Sequence, residues 1–592
     1  MILIICLLTI GIAEAEIPII ISENAAKTES LAAGELQHYL SRIYPSESFA
    51  VSKGSSRSTA NRSIRLGTIK SQPELKKYLT DKSLCGPESY VVTKCVIDGI
   101  QTGIVLGADN AGVIYGVYGL LEKLGCGFYL TTDILPVPGN KPFDFNGWDI
   151  ADHPLVSTRL VFNWHNFLSG CTGWNYEHWQ QWISNSQKMG FNTVMVHAYG
   201  NNPMFTYTFN GKAKPIGYYG TSRRGRDWGR QHINDVRRLP GGEIFDGPEF
   251  GADAATVPDD KRIEAAQQLM KRVFSHAEKR GVRVCFAIDV DTISVLDQDM
   301  ILSLPEYARF HNGSVWLPRC DTEEGYGFYK AQVDGLLKLY PQIDILALWR
   351  RSHGQEWGRL KNVNQLPKTW QVKYKAHIRE NPEAAKLKQA VCSFALNKVV
   401  GAFRRALDEA GRKDVQISMG SWETSWVPAL AEFLPDEVTL MPLDSSYLRY
   451  RRGSFLKLPK AFADIKRAGG RIIPIIWAHH DDGEYIGRPI HSHTDFNDKL
   501  SKLQSRGYGI IHWMTRPLDL YFKNHENQVW AETKNEPYTE TCRKAGVHWF
   551  GAENGEKLGR YLQNWWTNAP IFGRVTTNYF FPKGQTIPKP EQ

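Results

Sequence analysis

The segment Arg471-Ile-Ile-Pro-Ile-Ile-Trp-Ala-His-His-Asp-Asp-Gly-Glu-Tyr-Ile-Gly-Arg488 runs from an apolar stretch of strand length directly into aromatic, imidazole and carboxylate side chains. In a parallel α/β barrel the strand interiors fill the core, and the loops at the strands' C-terminal ends carry the polar groups. A single junction of this kind decides little, but a series of them at βα spacing decides the fold. With Ile472 to Trp477 in seventh place, the candidate strands are Arg159 to Phe162, Thr193 to His197, Val282 to Ile288, Ile343 to Trp349, Val415 to Met419, Val438 to Met441 and, last, Gly509 to Trp513. Candidate helices separate most of them: Tyr176 to Met189, Asp260 to Arg280, Gly325 to Leu339, Pro382 to Ala410, Ser425 to Phe433, Pro459 to Ala468 and Thr494 to Ser505. Their apolar residues recur with the rhythm of a helix face, as in Ala265, Leu269, Val273 and Ala277. This alternation predicts an α/β fold, a (β/α)8 TIM-like barrel over residues 150–520.

Working outward, Pro136 to Pro142 is a proline- and glycine-rich linker that ends a small α/β domain over residues 16–146. That domain reads as strand Ile17 to Ser22, helix Ser30 to Tyr44, strand Ile64 to Ile69, a hairpin Tyr90 to Leu106 turning at Asp98-Gly99, and helix Ala111 to Leu124. Gly107 to Tyr129 is rich in glycine, but its spacing fits neither a P-loop nor a dinucleotide fingerprint, so close packing of a helix on the sheet is expected. The insert Gly200 to Val257 exceeds a bare connection and reads as a lid or binding loop. Residues 521–592 read as a helical C-terminal region, whose Trp530, Trp549, Trp565 and Trp566 are expected to pack on the barrel, with a sugar platform as the sharper alternative.

At 592 residues and 42% hydrophobic, the chain suits two or three domains and is too apolar to be disordered. Ile2 to Ala13 is too short to span a bilayer and leads into Ala13-Glu14-Ala15, a small-x-small cleavage signal; residues 1–15 read as a secretory signal peptide, although no basic residue precedes the apolar run. A secreted or periplasmic protein with no membrane span is expected. Nine cysteines without a C-x-x-C pair argue against a zinc ribbon or redox motif and suit buried thiols, with one or two disulfides as the alternative. The net charge of +9 is modest, but arginines cluster at Arg223, Arg224, Arg226, Arg230, Arg237 and Arg238 and at Arg449, Arg451 and Arg452. In a secreted chain such clusters meet an acidic polysaccharide rather than nucleic acid, or form a solvated surface.

The strand ends carry the candidate site. In order they hold Trp164 and His165; His197 and Tyr199; Asp289 and Asp291; Trp349, Arg350, Arg351, His353 and Glu356; Trp422 and Glu423; Asp444; Trp477, His479, His480, Asp481, Asp482 and Glu484; and Trp513 and Arg516. Tryptophan and tyrosine faces stack on pyranose rings while carboxylates and imidazoles bond hydroxyls, so the mixture suits a carbohydrate better than a nucleotide or a lipid. Cleaving a glycosidic bond commonly takes two carboxyl groups, one protonated to assist the leaving oxygen and one ionised to activate water or attack carbon. Glu356, between Trp349 and Trp357, is the candidate acid, because desolvation raises a carboxyl pKa; Arg350, Arg351 and Arg359 would oppose that if they pointed inward. Asp482 is the preferred base or nucleophile, followed by Asp481, Glu423 and Asp444. Asp481 and Asp482 also suit a cap or an Asx turn, and successive strand residues point opposite ways, so one of the two at most is expected to face a substrate. The other strand-end residues are substrate-binding candidates, with Arg350, Arg351 and Arg516 suited to a uronate carboxylate or a sulfate, or to structural ion pairs. Neither metal nor cofactor is expected, since adjacent ligands on one strand cannot converge on one ion and no helical H-x-x-x-H is present. No G-x-S-x-G elbow supports a serine hydrolase.

On these residues the chain resembles a known group. The Asp98-Gly99 hairpin followed by Gly107 to Tyr129 is similar to the α/β domain that precedes the barrel in α-glucuronidases and β-hexosaminidases. Gly509-Ile-Ile-His-Trp-Met-Thr-Arg516 and the Trp477 to Tyr485 segment resemble the barrel of secreted bacterial proteins that combine this domain with a glycosidase-like barrel. The resemblance spans nearly the whole mature chain and implies a glycoside hydrolase without a metal cofactor, acting on a uronic-acid or other acidic glycan. One departure matters: where hexosaminidases that use the substrate's acetamido group carry an adjacent Asp-Glu pair after the fourth strand, this chain has Arg350, Arg351 and then Glu356. That turns the expectation away from an N-acetylhexosaminidase. A noncatalytic glycan-binding protein and a polysaccharide lyase are the rival classes.

Overall fold

The computed structural model describes residues 16–54, 61–79, 82–138, 142–164, 171, 174–216, 259–292, 295–350, 356–421, 423–444, 468–478, 492–512 and 518–568. They form two compact units.

One unit comprises the described residues up to Phe128 with Asp133–Pro154 and Trp530–Glu532. Its six-stranded sheet has the order Phe49–Lys53, Ile17–Ile21, Arg62–Thr68, Ile100–Gly107, Tyr90–Ile97, Ile150–Asp152. Ile17–Ile21 is buried at every position, the continuous apolar run of a strand covered on both faces. Tyr90–Ile97 runs antiparallel to both neighbours, and the other pairs are parallel. Asp98 and Gly99 have φ of 50° and 82°, the left-handed pair that a two-residue hairpin turn requires. Asp109 caps the helix Asn110–Lys123 by accepting from the Gly112 N–H. That helix lies so near the hairpin that a Cβ on Gly112 would overlap the Ser89 carbonyl oxygen, and one on Gly119 the Tyr90 hydroxyl. The glycines therefore serve close packing, as their spacing implies. Phe49–Lys53 was not expected; a short edge strand with only Phe49 buried leaves little periodicity to read.

The other unit comprises Tyr129–Thr132, Leu155–Val529 and the described residues from Thr533 on. Eight parallel strands close into a barrel: Thr158–Asn163, Thr193–Ala198, Arg283–Asp289, Ile343–Arg350, Gln416–Ser421, Thr439–Asp444, Ile475–Trp477 and Gly507–His512, the last pairing with the first. Each expected strand is present. The seventh starts later than its apolar run because Pro474 has no N–H to offer the ladder; Ile472 makes an isolated bridge to Leu440, and pairing resumes at Ile475. Alternate residues fill the interior, among them Leu160, Phe162, Met195, Cys285, Ala287, Ile345, Ala347, Met441, Leu443, Ile475 and Ile511.

The helices Tyr176–Met189, Asp259–Arg280 and Glu323–Leu339 lie where the apolar rhythm places them. The helix expected over Pro382 to Ala410 is split, with a 3-10 turn at Pro382–Lys386, Gln389 at φ 70°, and then Ala390–Glu409. An unexpected helix, Lys368–Glu380, precedes it. Val427–Phe433 and Phe496–Lys502 are shorter than their apolar patterns suggest. The helix expected at Pro459 to Ala468 falls outside the described residues except for its last position, and so does most of the Gly200 to Val257 insert. In the C-terminal region Asp519–Asn527 and Tyr538–Asn568 are helical, the second kinked at Gly551. Trp549 packs on Tyr129 with ring centroids 5.3 Å apart, whereas Trp565 is 41% exposed. Among the described residues no helix is long and apolar enough to cross a membrane.

Candidate active site at the barrel rim

Because side chains alternate along a strand, the interior columns continue into the C-terminal rim. Phe162 leads to Trp164, Met195 to His197 and Tyr199, Ala287 to Asp289, Ala347 to Trp349 and Ile475 to Trp477. The polar layer of the rim therefore rests directly on the barrel core.

Its centre is an imidazole and a carboxylate from neighbouring strands. His197 Nε2 lies 2.9 Å from Asp289 Oδ1, and neither side chain has exposed surface. An ionised carboxylate only accepts, so the imidazole donates through Nε2. Trp164 stacks on the His197 ring at 4.5 Å and 18°, while Tyr199 and Trp349 meet it edge-on at 5.0 and 5.9 Å. The Trp164 indole N–H in turn donates to the Tyr199 hydroxyl at 3.1 Å. Packing on this many sides fixes the ring's orientation, which is what a group that moves or aims a proton needs.

A second charged pair lies alongside. Arg350 Nε stands 3.5 Å from Asp291 Oδ2, again without exposure. Arg350 is on the strand face opposite Trp349, and its guanidinium lies 4.0 Å from the centroid of the Trp426 ring. It thus fills the layer between strand and helix. Glu356 is 2% exposed; its N–H donates to the Asp291 carbonyl at 2.7 Å, and its carbonyl accepts from Asn312 Nδ2 at 2.7 Å. Its carboxylate meets Arg359 Nε at 2.9 Å. Of the two described arginines near it, Arg359 meets the Glu356 carboxylate and Arg350 turns to Asp291.

Asp444 is fully buried at the end of the sixth strand, and Trp477 is 2% exposed within the core, its carbonyl accepting from the Tyr521 hydroxyl at 3.3 Å. Glu423 is different. Its side chain is 40% exposed, and its carboxylate pairs with Lys388 Nζ at 3.2 Å.

The structure thus joins Trp164, His197, Tyr199 and Asp289 in one network and links Arg350 to Glu356 through Asp291. Of the tryptophans expected to hold sugar, the described ones, Trp164 and Trp477, are buried, one face of Trp164 being covered by His197. His165, Arg351, His353, Trp422, His479, His480, Asp481, Asp482, Glu484, Trp513 and Arg516 lie outside the described residues, as do both arginine clusters. Among the described residues no group of three or more His, Cys, Asp or Glu side chains is arranged to hold a metal ion.

Sequence reasoning did not single out Lys214. This side chain is 4% exposed, and its ammonium donates to the Asn202 and Phe205 carbonyls at 2.6 and 3.0 Å. Burial pushes its pKa down to about 7. Since the Asn202 N–H donates to the Tyr199 carbonyl at 2.9 Å, Lys214 ties down the turn that follows Tyr199. A lone lysine in a loop carries no pattern that would reveal this. Asp291 and Arg350 were each visible at their strand ends, but the pairing between them was not.

Comparison with known proteins fits this architecture. Residues 13–120 match the family model described as Glycosyl hydrolase family 67 N-terminus. Among solved structures, the chain is similar to one described as a GH138 enzyme targeting pectin rhamnogalacturonan II, with a TM-score of 0.54 and 13% identity over 93% of this chain and 69% of that one. It is also similar to CpGH84B, with a TM-score of 0.50 and 14% identity over 90% of this chain and 73% of the other. No curated protein sequence matches the chain. At such identities the likeness is one of fold. The chain combines a glucuronidase-type N-terminal α/β domain with a TIM-type barrel of the kind found in glycoside hydrolases.

Proposed function

We propose that the protein is a glycoside hydrolase whose active site lies at the C-terminal rim of the barrel, acting on an acidic glycan that carries uronic acid or sulfate. The observation that carries this reading is the convergence there of Asp289 with His197, Asp291 with Arg350, and Glu356, on three consecutive strands and the loop that follows them. Rim residues of such a barrel are where its chemistry is done. The family 67-type N-terminal domain supports the same direction. In this reading Glu356 is the general acid and Asp482 the base or nucleophile, with Asp481 and Glu423 as the remaining carboxylates. His197 and Asp289 orient the sugar's hydroxyl groups.

The test is turnover and binding of Glu356→Gln and Asp482→Asn on a panel of acidic glycans, with identification of the product ends. Each variant is expected to lose turnover by roughly 10²- to 10⁴-fold while retaining binding. Full activity in both would reject the assignment. Unsaturated product ends would indicate a lyase, for which His197 and Tyr199, with ring centroids 5.0 Å apart, offer a base.

A further inference from the structure

The loop joining the fourth barrel strand to the helix Ala390–Glu409 follows a strand's C-terminal end, and so belongs to the same face as the rim. Near its close, Lys388 reaches Glu423 just beyond the fifth strand. Over residues 361–388 this loop carries seven lysine and arginine side chains against Glu380 and Glu383, a net +5 in a chain whose total is +9. Lys386 and Lys388 are offset by Glu383 and Glu423. Lys368, Lys375 and Arg379 have no acidic partner among the described residues. They sit on the helix Lys368–Glu380 at i, i+7 and i+11, one exposed stripe with Val372, itself 69% exposed, between them. The opposite face buries Trp370 and Tyr374. Three cations without acidic partners among the described residues thus share this face, and binding an anion relieves their mutual repulsion.

We infer that the exposed face of this helix is the docking surface for an acidic glycan chain, an extension of the substrate held at the rim. The inference rests on the carbohydrate reading above and deepens it by assigning the substrate's charge to particular residues. From Lys368 to Arg379 the stripe spans about 16 Å along the helix axis, more than a single sugar acid covers, so it suits a polymer rather than a monosaccharide. Nucleic acid fits less well, because Trp370 and Tyr374 face inward and the His377 ring is held by Glu432 and Phe433, which leaves no free aromatic face on which bases would stack.

The experiment compares the full chain with a triple variant, Lys368→Glu, Lys375→Glu and Arg379→Glu. Polygalacturonate, neutral dextran and duplex DNA serve as probes in calorimetric titrations at two salt concentrations, and thermal melting checks the fold. The milder triple replacement by Gln takes its place if charge reversal impairs folding. The wild type is expected to bind polygalacturonate in a salt-sensitive manner and to ignore dextran, and the triple variant to bind about tenfold more weakly. Equal binding by wild type and variant, equal binding of dextran, or DNA binding as tight as polygalacturonate at the same salt would overturn the inference. Glu356→Gln keeps the stripe intact and is expected to bind like the wild type. Binding without hydrolysis by the wild type therefore counts against the hydrolase reading alone, and hydrolysis without stripe-dependent binding counts against the stripe alone.

Discussion

His197 and Asp289 bond to each other across adjacent barrel strands at 2.9 Å, with no solvent on either side chain. In Asp289→Asn the amide oxygen can still accept from Nε2, so the ring stays in place and only the charge is lost. Turnover on an accepted glycan is expected to fall by about 10²-fold or more, with little change in melting temperature. Asp289→Leu removes the acceptor from a buried donor and is expected to cost about 3 kcal/mol of stability as well. Steady-state kinetics and urea unfolding separate the two effects. Unchanged turnover in Asp289→Asn would remove this pair from the site.

Gly420 is where the fifth strand makes room for the fourth. A Cβ there would overlap the Trp349 indole, which is fully buried and borders His197. Gly420→Ala is expected to destabilise the barrel by roughly 1–3 kcal/mol and to shift tryptophan emission. An unaltered melting curve and spectrum would show that the indole moves freely, contrary to its packing.

Arg159 and Glu526 form a buried ion pair at 3.2 Å, with the Tyr508 hydroxyl also donating to Glu526. Arg159 further donates to the Gly190 and Val156 carbonyls at 2.8 and 2.9 Å. Arg159→Met leaves the carboxylate without its cation and is expected to cost about 3–5 kcal/mol. Adding Glu526→Gln should recover part of that loss, because the stranded charge is then gone. Denaturant midpoints of the single and double variants decide it, and strict additivity would mean that the two residues do not interact.

His525 makes the fold sensitive to acid. Nδ1 meets the Tyr521 carbonyl at 2.8 Å, and Nε2 accepts from the His493 N–H at 3.1 Å, so the neutral ring uses both nitrogens and has no place for a second proton. Burial pushes its pKa down to about 3 from an ordinary 6.5. Between those values the unfolded chain binds the proton and the folded chain does not, so stability is fully present above pH 6.5 and falls as pH drops toward 3. The loss has an upper bound of about 5 kcal/mol. His525→Asn is expected to flatten the dependence of unfolding free energy on pH across this window. Parallel curves for variant and wild type would assign the acid sensitivity elsewhere.

The barrel was legible in the sequence because each strand is a short apolar run that ends abruptly in polar residues, and this one-dimensional pattern survives without knowledge of neighbours. The differences have local causes. Pro474 delays the seventh strand by withholding a donor, and Pro382 and Gln389 divide a helix whose apolar rhythm runs on through the break. The helix Lys368–Glu380 escaped notice because it buries only a narrow face, Trp370, Gln371 and Tyr374, amid lysines.

The sequence by itself determined that strands and helices alternate into a barrel behind an α/β domain, and which end of each strand is polar, since both follow from composition along the chain. Only the tertiary structure decided which of those polar ends meet. His197 and Asp289 are 92 residues apart and become partners because their strands are neighbours in the closed sheet. Arg350, adjacent to Trp349, is turned away from it by the pleat and packs on Trp426 instead. Glu356 is carried to Asp291, and Glu423 to Lys388. Contacts between strands depend on closure and register, which no single stretch of chain contains.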